Sequence, residues 1–365
     1  MRKVAVIFGG KSCENEISIL TGVFVLQLLQ EKYDVLPVYV HTDGGMYTSS
    51  KMLDVETFKK RKYSGFERVF FDGGVAYALG KRKIKRLGRI EAALNCCHGG
   101  LGEGGGVSAM MEWNGIPLAS PDLVSSGIFL DKYLTKLIAR SLCIPVVDYI
   151  RVNEKDYEKR GAFLLKTVAS RLKYPVVVKP AHLGSSIGIA VAKDEKELKE
   201  ALACAFELDG RVIVEKYLDG KEDVNCAAYA LRGEIVVSEA EKAFGGGIYS
   251  FEEKYVKRTA DGKGGNRRVL SGELRDKIRS YTRTLYKRMD LKGLVRMDFL
   301  LHKGKAYLCE VNTVPGSLAY YLFCDRISDA KSLFFELIED ACERAKEEKK
   351  IISTGILDAV ERRRK

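Results

Sequence analysis

Leu294-Val295-Arg296-Met297-Asp298-Phe299-Leu300-Leu301 and Ala306-Tyr307-Leu308-Cys309-Glu310-Val311-Asn312, followed by Pro315-Gly316, alternate apolar and polar residues. That is the period of a strand, so the two runs predict a strand pair. Their link, His302-Lys303-Gly304-Lys305, has room only for a hairpin. Arg296 and Asp298 share one face of the first strand; Glu310 and Asn312 share one face of the second. A loop with an odd number of residues, Lys303-Gly304-Lys305 with a glycine bulge, sets Asp298 opposite Glu310 and Arg296 opposite Asn312. Two carboxylates and an amide oxygen on one face form a hard-oxygen site suited to Mg2+. An arginine beside them is equipped to hold a phosphoryl group. A hairpin with one solvated polar face would show the same pattern, so the rest of the chain must separate the two.

The 365 residues exceed one ordinary core and predict two or three domains. An apolar content of 46% with 30% charged residues is that of a folded chain and excludes a disordered one. The formal charge of +12 favours anionic partners without naming one. Part of it is the terminal run Arg362-Arg363-Arg364-Lys365, read as a solvated tail. Nine cysteines without paired spacing, and only four histidines, predict neither a disulfide framework nor a zinc site. The opening strand turns into Gly9-Gly10 after five apolar residues, too short for a signal peptide or a membrane span. A reducing cytoplasm is the expected compartment.

Upstream of the hairpin the chain begins as a βαβ unit. Strand Val4–Phe8 runs through Gly9-Gly10-Lys11-Ser12-Cys13-Glu14-Asn15-Glu16 into a helix from about Ser18, with Ile17, Leu20, Phe24 and Leu28 as its buried stripe, and then into strand Asp34–Val40. Ligands of such sheets gather at the carboxyl ends of strands. Glu14 stands at one, which suits an ammonium group rather than an anion. Segment 43–87 reads as an irregular basic insertion with a hairpin near 69–79; its aromatics show no stacking pattern, so nucleic acid is not expected there. Strand 90–97 leads to His98-Gly99-Gly100-Leu101-Gly102-Glu103-Gly104-Gly105-Gly106 and a helix Val107–Trp113. Gly100, Gly102 and Gly105 match a dinucleotide fingerprint with Asp122 downstream, so nicotinamide binding is a rival reading. A helix from Asp131-Lys132 through Lys136 to Cys143 follows, then a short linker. Strand 174–179 next precedes Pro180-Ala181-His182-Leu183-Gly184-Ser185-Ser186-Ile187-Gly188. This Gly/Ser loop between strands offers N–H groups and hydroxyls to phosphate, with Lys179 at the strand end. Lys242–Arg268 is glycine-rich, charged and long enough to be a lid.

Taken together, these blocks resemble the ATP-grasp superfamily and, within it, the D-alanine–D-alanine ligases. The similarity runs from Val4 to about Gly316. It rests on Gly9-Gly10 with Ser12, Glu14, Glu16 and Ser18; on His98-Gly99 with Gly102-Glu103; and on Asp131-Lys132 with Lys136. It continues through Val178-Lys179-Pro180 with Gly184-Ser185-Ser186-Ile187-Gly188, Glu215-Lys216-Tyr217-Leu218, Glu252-Glu253-Lys254-Tyr255, Arg296-Met297-Asp298 and Glu310-Val311-Asn312-Thr313. So many blocks in order displace the dinucleotide reading.

The resemblance implies an α/β chain, α+β in parts, of three domains: 1–126 with a parallel βαβ sheet, 127–214 with the phosphate loop, and 215–365 with the lid 242–268 and the hairpin. Two sheets would sandwich ATP. It implies ATP-dependent synthesis of a D-alanyl dipeptide through an acyl phosphate, for cell-wall peptidoglycan. Lys136, Lys179 and Ser186 would meet phosphates, and Lys254 phosphate or the second substrate's carboxylate; Glu215, Lys216 and Leu218 would line the adenine hinge; Glu222 would meet the ribose. Asp298, Glu310 and Asn312 would hold two Mg2+, or Mn2+. Arg296 and the Gly316 N–H would stabilise the oxyanion. Glu14, with Ser185 and Tyr255, would bind the first substrate's ammonium, and His98 and Tyr321 would lie beside substrate. Three departures stand out: Glu103-Gly104-Gly105 for the family's Glu-Asp-Gly, Ser317-Leu318-Ala319-Tyr320-Tyr321 after Pro315-Gly316, and the length of 43–87. D-alanine is the default second substrate, with D-serine or another amino acid as the alternative. A homodimer and no membrane partner are expected.

Overall fold

The computed structural model describes residues 1–61, 63–80, 83–243, 268–346, 354 and 356. Three sheets organise it. The first is built from β1 (Lys3–Gly9), β2 (Asp34–Val40), β3 (Met46–Thr48), β4 (Glu67–Asp72), β5 (Val75–Leu79), β6 (Ile84–Arg89) and β7 (Ala92–Asn95), in the order β6-β5-β4-β3-β2-β1-β7. β1 lies parallel to β2 and β7, which makes the expected βαβ start with α1 (Asn15–Leu29). Segment 43–87 is not an irregular insertion. It adds four antiparallel strands to the sheet, among them the expected hairpin and an unexpected third strand, β6. Ile84-Lys85-Arg86-Leu87-Gly88-Arg89 hides its strand character because it is the outer edge, where charge discourages further pairing.

The stripe expected on α1 also needs correction. Leu20 is exposed and Phe24 and Leu28 are only half-buried, whereas Ile17, Ile19, Val23, Val25, Leu26 and Leu29 are buried. The helix is covered on two sides, by its own sheet and by a C-terminal helix. That helix, Ile327–Arg344, buries the predicted face Leu333, Phe334, Leu337, Ile338 and Ala341 in the same core as Val4, Val6, Phe8 and Leu94. This helix therefore completes the core of the first sheet, which also takes in Ala227.

The second sheet has the order β10-β9-β11-β8, from β8 (Tyr149–Asn153), β9 (Val176–Pro180), β10 (Ala190–Ala192) and β11 (Arg211–Lys216), all antiparallel. Two helices, Glu154–Arg171 and Glu195–Phe206, cover one face over Val152, Val176, Val178, Val212 and Val214. The stretch taken for a short linker is thus β8 and an 18-residue helix. Its period is obscured by charge and by a kink at Arg160, and it fully buries only Leu165 and Val168. By strand alternation, Lys179, Ile213 and Glu215 project from the opposite face.

The third sheet runs β13-β12-β15-β16, with β12 (Glu222–Leu231), β13 (Glu234–Val237), β15 (Val295–His302) and β16 (Lys305–Asn312); the short β14 (Glu241–Lys242) also pairs with β12. Helix Gly272–Arg288 covers one face, joined by Phe129, Ala139 and Ile144 from helices Leu123–Leu130 and Lys132–Ser141 and the turn after them. Residues 127–147, expected with the central domain, therefore pack on this sheet. The β15–β16 register is the expected one: Asp298 faces Glu310 and Arg296 faces Asn312. The device differs. The turn is two residues, Lys303 and Gly304, both with positive φ (46° and 73°), and the offset is absorbed by a bulge at Cys309.

Candidate active site

The site lies where the loops of the first sheet meet the bare faces of the other two. At the end of β1 the chain turns through Gly9-Gly10 to Glu14, the residue before α1. Hydroxyls lace this turn to the turn after β7. Ser18 Oγ donates to the Cys96 carbonyl (2.7 Å) and accepts from the Gly9 N–H (2.6 Å). Ser12 Oγ donates to the His98 carbonyl (2.6 Å). Glu14 is thereby held facing the second sheet's Gly/Ser loop, where the Ser185 hydroxyl donates to its carboxylate. Two glycines allow this approach. A Cβ on Gly99 would stand 2.6 Å from Glu14 Oε2, and one on Gly184 would stand 2.7 Å from it.

On the bare face of the second sheet, Glu215 lies between two lysines. Lys136 Nζ is 2.8 Å from Oε1 and Lys179 Nζ is 2.8 Å from Oε2, all three side chains being buried. Burial would raise the carboxyl's pKa; the charges of the two lysines, with the Lys179 hydrogen bond, outweigh it and hold the group down at about 2. Glu215 was expected at an adenine hinge. Strand alternation aims it inward instead, where it neutralises the lysines, and leaves Lys216 exposed and Leu218 half-buried in the link to β12. The Lys136 contact is an ion pair without hydrogen-bond alignment, so its N–H groups retain capacity for an anion. Glu222 begins β12 and pairs with Lys242 at 2.9 Å.

Across the cleft, the third sheet presents Arg296, Asp298, Glu310 and Asn312. Arg296 grips Asp298 with two N–H bonds (2.7 and 2.8 Å) and reaches Tyr321 Oη (3.2 Å); the Asn312 amide lies 3.1 Å from Asp298. The bulge turns Cys309 as well as Glu310 toward the cleft, and Cys309 Sγ stands 3.8 Å from Lys179 Nζ. Asn225 of β12 is registered beside Asp298 and shares that face. Among the described residues no three His, Cys, Asp or Glu side chains stand at chelating distance. A cation here would rest on two carboxylates, an amide oxygen and oxygens brought by a bound phosphate. That donor set is hard, half-exposed and faced by cations that already neutralise it, which fits magnesium.

Several groups tie these parts together that sequence motifs contain but did not single out. Lys132 Nζ donates to the Leu183 carbonyl and stands 3.8 Å from Glu310. Glu103 accepts from the Gly99 N–H (2.7 Å) and the Val314 N–H (3.4 Å). His98 differs from its expected place beside substrate. It is 4% exposed, with Nδ1 donating to the Val314 carbonyl (2.6 Å) and Nε2 accepting from Thr21 (2.8 Å). Burial pushes its pKa down to about 4, so it is neutral and committed to the protein. After Pro315-Gly316 the chain makes a left-handed turn, with Ser317, Leu318 and Ala319 all near φ 50°. Ser185 and Ser186 also take positive φ. Lys254 and Tyr255 lie outside the described residues.

The profile described as D-ala D-ala ligase N-terminus matches residues 3–121, and the one described as D-ala D-ala ligase C-terminus matches 138–342. A D-alanine–D-alanine ligase of Thermosipho africanus is 36% identical over 362 residues, covering 93% of this chain and 95% of that protein. The crystal structure of the D-alanine–D-alanine ligase from Helicobacter pylori superposes with a TM-score of 0.77 at 27% identity, covering 93% of this chain and 98% of that one. The VanG D-Ala:D-Ser ligase of Enterococcus faecalis shares the fold, with a TM-score of 0.72 at 24% identity over 94% of this chain and 99% of that one.

Proposed function

The chain belongs to the D-alanine–D-alanine ligase family, and on that premise we propose which of its residues carry each part of the reaction. It is an ATP-dependent ligase of the ATP-grasp fold that joins D-alanine to D-alanine for peptidoglycan synthesis. A carboxylate is a poor electrophile at neutral pH. The first D-alanine's carboxylate oxygen therefore attacks the γ-phosphorus of ATP and ADP leaves; the second D-alanine's amine then attacks the acyl carbon, and phosphate leaves with loss of an amine proton.

The observation that carries the assignment is the bond from Ser185, on the phosphate loop, to Glu14, on the first sheet. It supports a role for Glu14 in binding the donor's ammonium beside a loop that would hold phosphate, as a donor amino acid awaiting phosphorylation requires. Lys136, Lys179 and Ser186 would hold the phosphates, and the link 216–218 would receive the adenine, with Glu222 toward the ribose. Glu215 holds the two lysines in place. Asp298, Glu310 and Asn312 would hold magnesium, which supplies charge neutralisation and alignment of the phosphoryl group. Arg296 and the Gly316 N–H would face the tetrahedral oxyanion, with Tyr321 bonded to Arg296 on the acceptor side. Buried His98 and half-buried Glu103 hold the Val314 backbone against the first sheet. ATP as substrate gives the enzyme a cytoplasmic address. Exposed Leu20, Leu101, Trp113, Leu123 and Val124 on the first unit supply apolar surface for a homodimer. No helix among the described residues is long and apolar enough to cross a membrane.

Phosphate release with ATP and D-alanine tests the site. Asp298→Ala and Glu310→Ala should each lower turnover at least about a hundredfold, the scale of losing one preorganised electrostatic group, with an unchanged melting transition. Wild-type turnover in either variant would remove the metal assignment.

A further inference from the structure

We propose that His182 is a positioning residue of the nucleotide site, held by Asp209 through one ring nitrogen and by Asp131 through the other. It thereby fixes the base of the phosphate loop 183–188 to the cap of the helix that carries Lys136. The inference rests on the assignment of that loop and of Lys136 to ATP phosphates.

His182 Nδ1 stands 2.8 Å from Asp209 Oδ2, and Nε2 stands 3.2 Å from Asp131 Oδ2. An ionised carboxylate can only accept, so both ring nitrogens must carry hydrogen and the ring is an imidazolium. The His182 backbone N–H donates to the same Asp209 oxygen (2.8 Å), which fixes the residue's main chain as well as its ring. Asp131 in turn caps the helix Lys132–Ser141, its Oδ1 accepting from the Tyr133 and Leu134 N–H groups. The Lys132 N–H donates to the Ala181 carbonyl (3.0 Å). The end of β9, the loop and the helix of Lys136 are thus joined at one point. The loop needs such an anchor, because Ser185 and Ser186 hold positive φ that a free chain would not favour.

The other charges facing this point are Arg211 and Lys132. Arg211 Nη1 bonds Asp131 Oδ2 (3.3 Å) and its N–H bonds Asp209 Oδ1 (3.0 Å), while Lys132 Nζ donates to the Leu183 carbonyl. The hydrogen bond to Asp131, then that to Asp209, raises the His182 pKa to about 9 against the opposing effect of burial. The anchor is therefore intact at neutral pH. As pH rises through about 9, the ring loses a proton and one of the two bonds with it.

The test is equilibrium binding of a non-hydrolysable ATP analogue with magnesium to the full chain, by calorimetry, from about pH 7.5 to about pH 10. His182→Ala should bind roughly tenfold more weakly at the lower pH, the scale of losing charge-assisted hydrogen bonds that order a binding loop. His182→Arg keeps a charged donor for both carboxylates throughout this range. It should restore binding at the lower pH and lack the loss of affinity that wild type shows above about pH 9. Wild-type affinity in His182→Ala, or parallel alkaline losses in wild type and His182→Arg, would overturn the proposal. If His182→Ala fails to fold, the wild-type and His182→Arg comparison decides alone. Lys136→Met separates the two levels: its loss of binding alongside normal His182→Ala binding sinks only the anchor, whereas normal binding in Lys136→Met sinks the phosphate assignment beneath it.

Discussion

Glu14 shows how little space separates binding from misplacement. Its carboxylate is approached by the backbone of Gly99 from one turn and by the Gly184 backbone and Ser185 hydroxyl from another. A methyl at 184 would press on both carboxylate oxygens, at 2.7 and 3.1 Å. Gly184→Ala should therefore raise the KM for the first D-alanine by about tenfold or more, through a displaced charge-assisted contact, while the fold survives. An unaltered KM would show that the ammonium is bound elsewhere. Glu103 is the second residue with a measurable signature. Burial first, and the Glu14 charge second, raise its pKa to about 7. An unfolded glutamate releases its proton near pH 4.3. Between these values the folded state holds the extra proton, so stability falls as pH rises. Glu103→Gln should gain stability relative to wild type between about pH 5 and about pH 8, read from urea unfolding at both ends. An equal difference at the two pH values would contradict this. The pairing of Asp298 with Glu310 was reached from strand alternation together with an assumed odd loop, whereas the protein reaches it through a two-residue turn and a bulge at Cys309. The places of Glu215 and His98 were not legible in the sequence, because burial and partners belong to neighbouring strands.

The β15–β16 hairpin closes through a turn that its sequence serves poorly. Both turn residues need positive φ, and Lys303 occupies the first position at φ 46° with a side chain that gains nothing there. Lys303→Asn should stabilise the protein by about 0.5 kcal/mol, seen as a raised urea midpoint without change in turnover. A lowered midpoint would mean that the lysine makes a contact outweighing its backbone strain. The bulge at Cys309 has the larger consequence. Leu308 and Val311 both enter the core, so Cys309 and Glu310 must both leave it. The alternation that predicted the strand could not show this, since one extra residue inverts the pattern locally. The helix Glu154–Arg171 escaped for the opposite reason: its charges and kink erase a period that only its packing on the second sheet restores.

In the molecule as a whole, the side chains proposed to hold the substrates come from three different sheets and the helices packed on them. The lysines stand on the second sheet and on the helix Lys132–Ser141, which packs on the third; Glu14 belongs to the first. A nucleotide that bridges them stabilises the whole assembly by mass action, about 2.7 kcal/mol at a hundredfold excess over its dissociation constant. Melting with and without the ATP analogue should show that gain in wild type and its absence in Lys179→Met. A gain of equal size in Lys179→Met would place the phosphates away from the cleft.

Strand and helix periods, glycine turns and the order of motif blocks are local properties, and from them the chain alone determined three sheets, the polar face of the hairpin and the chemistry of its ligands. Which core each element joins was decided only by tertiary packing. Helix Ile327–Arg344 completes the core of the first sheet, residues 127–147 serve the third, and Glu215 turns inward between two lysines. An apolar stripe records that a face must be covered and carries no label for the partner that covers it.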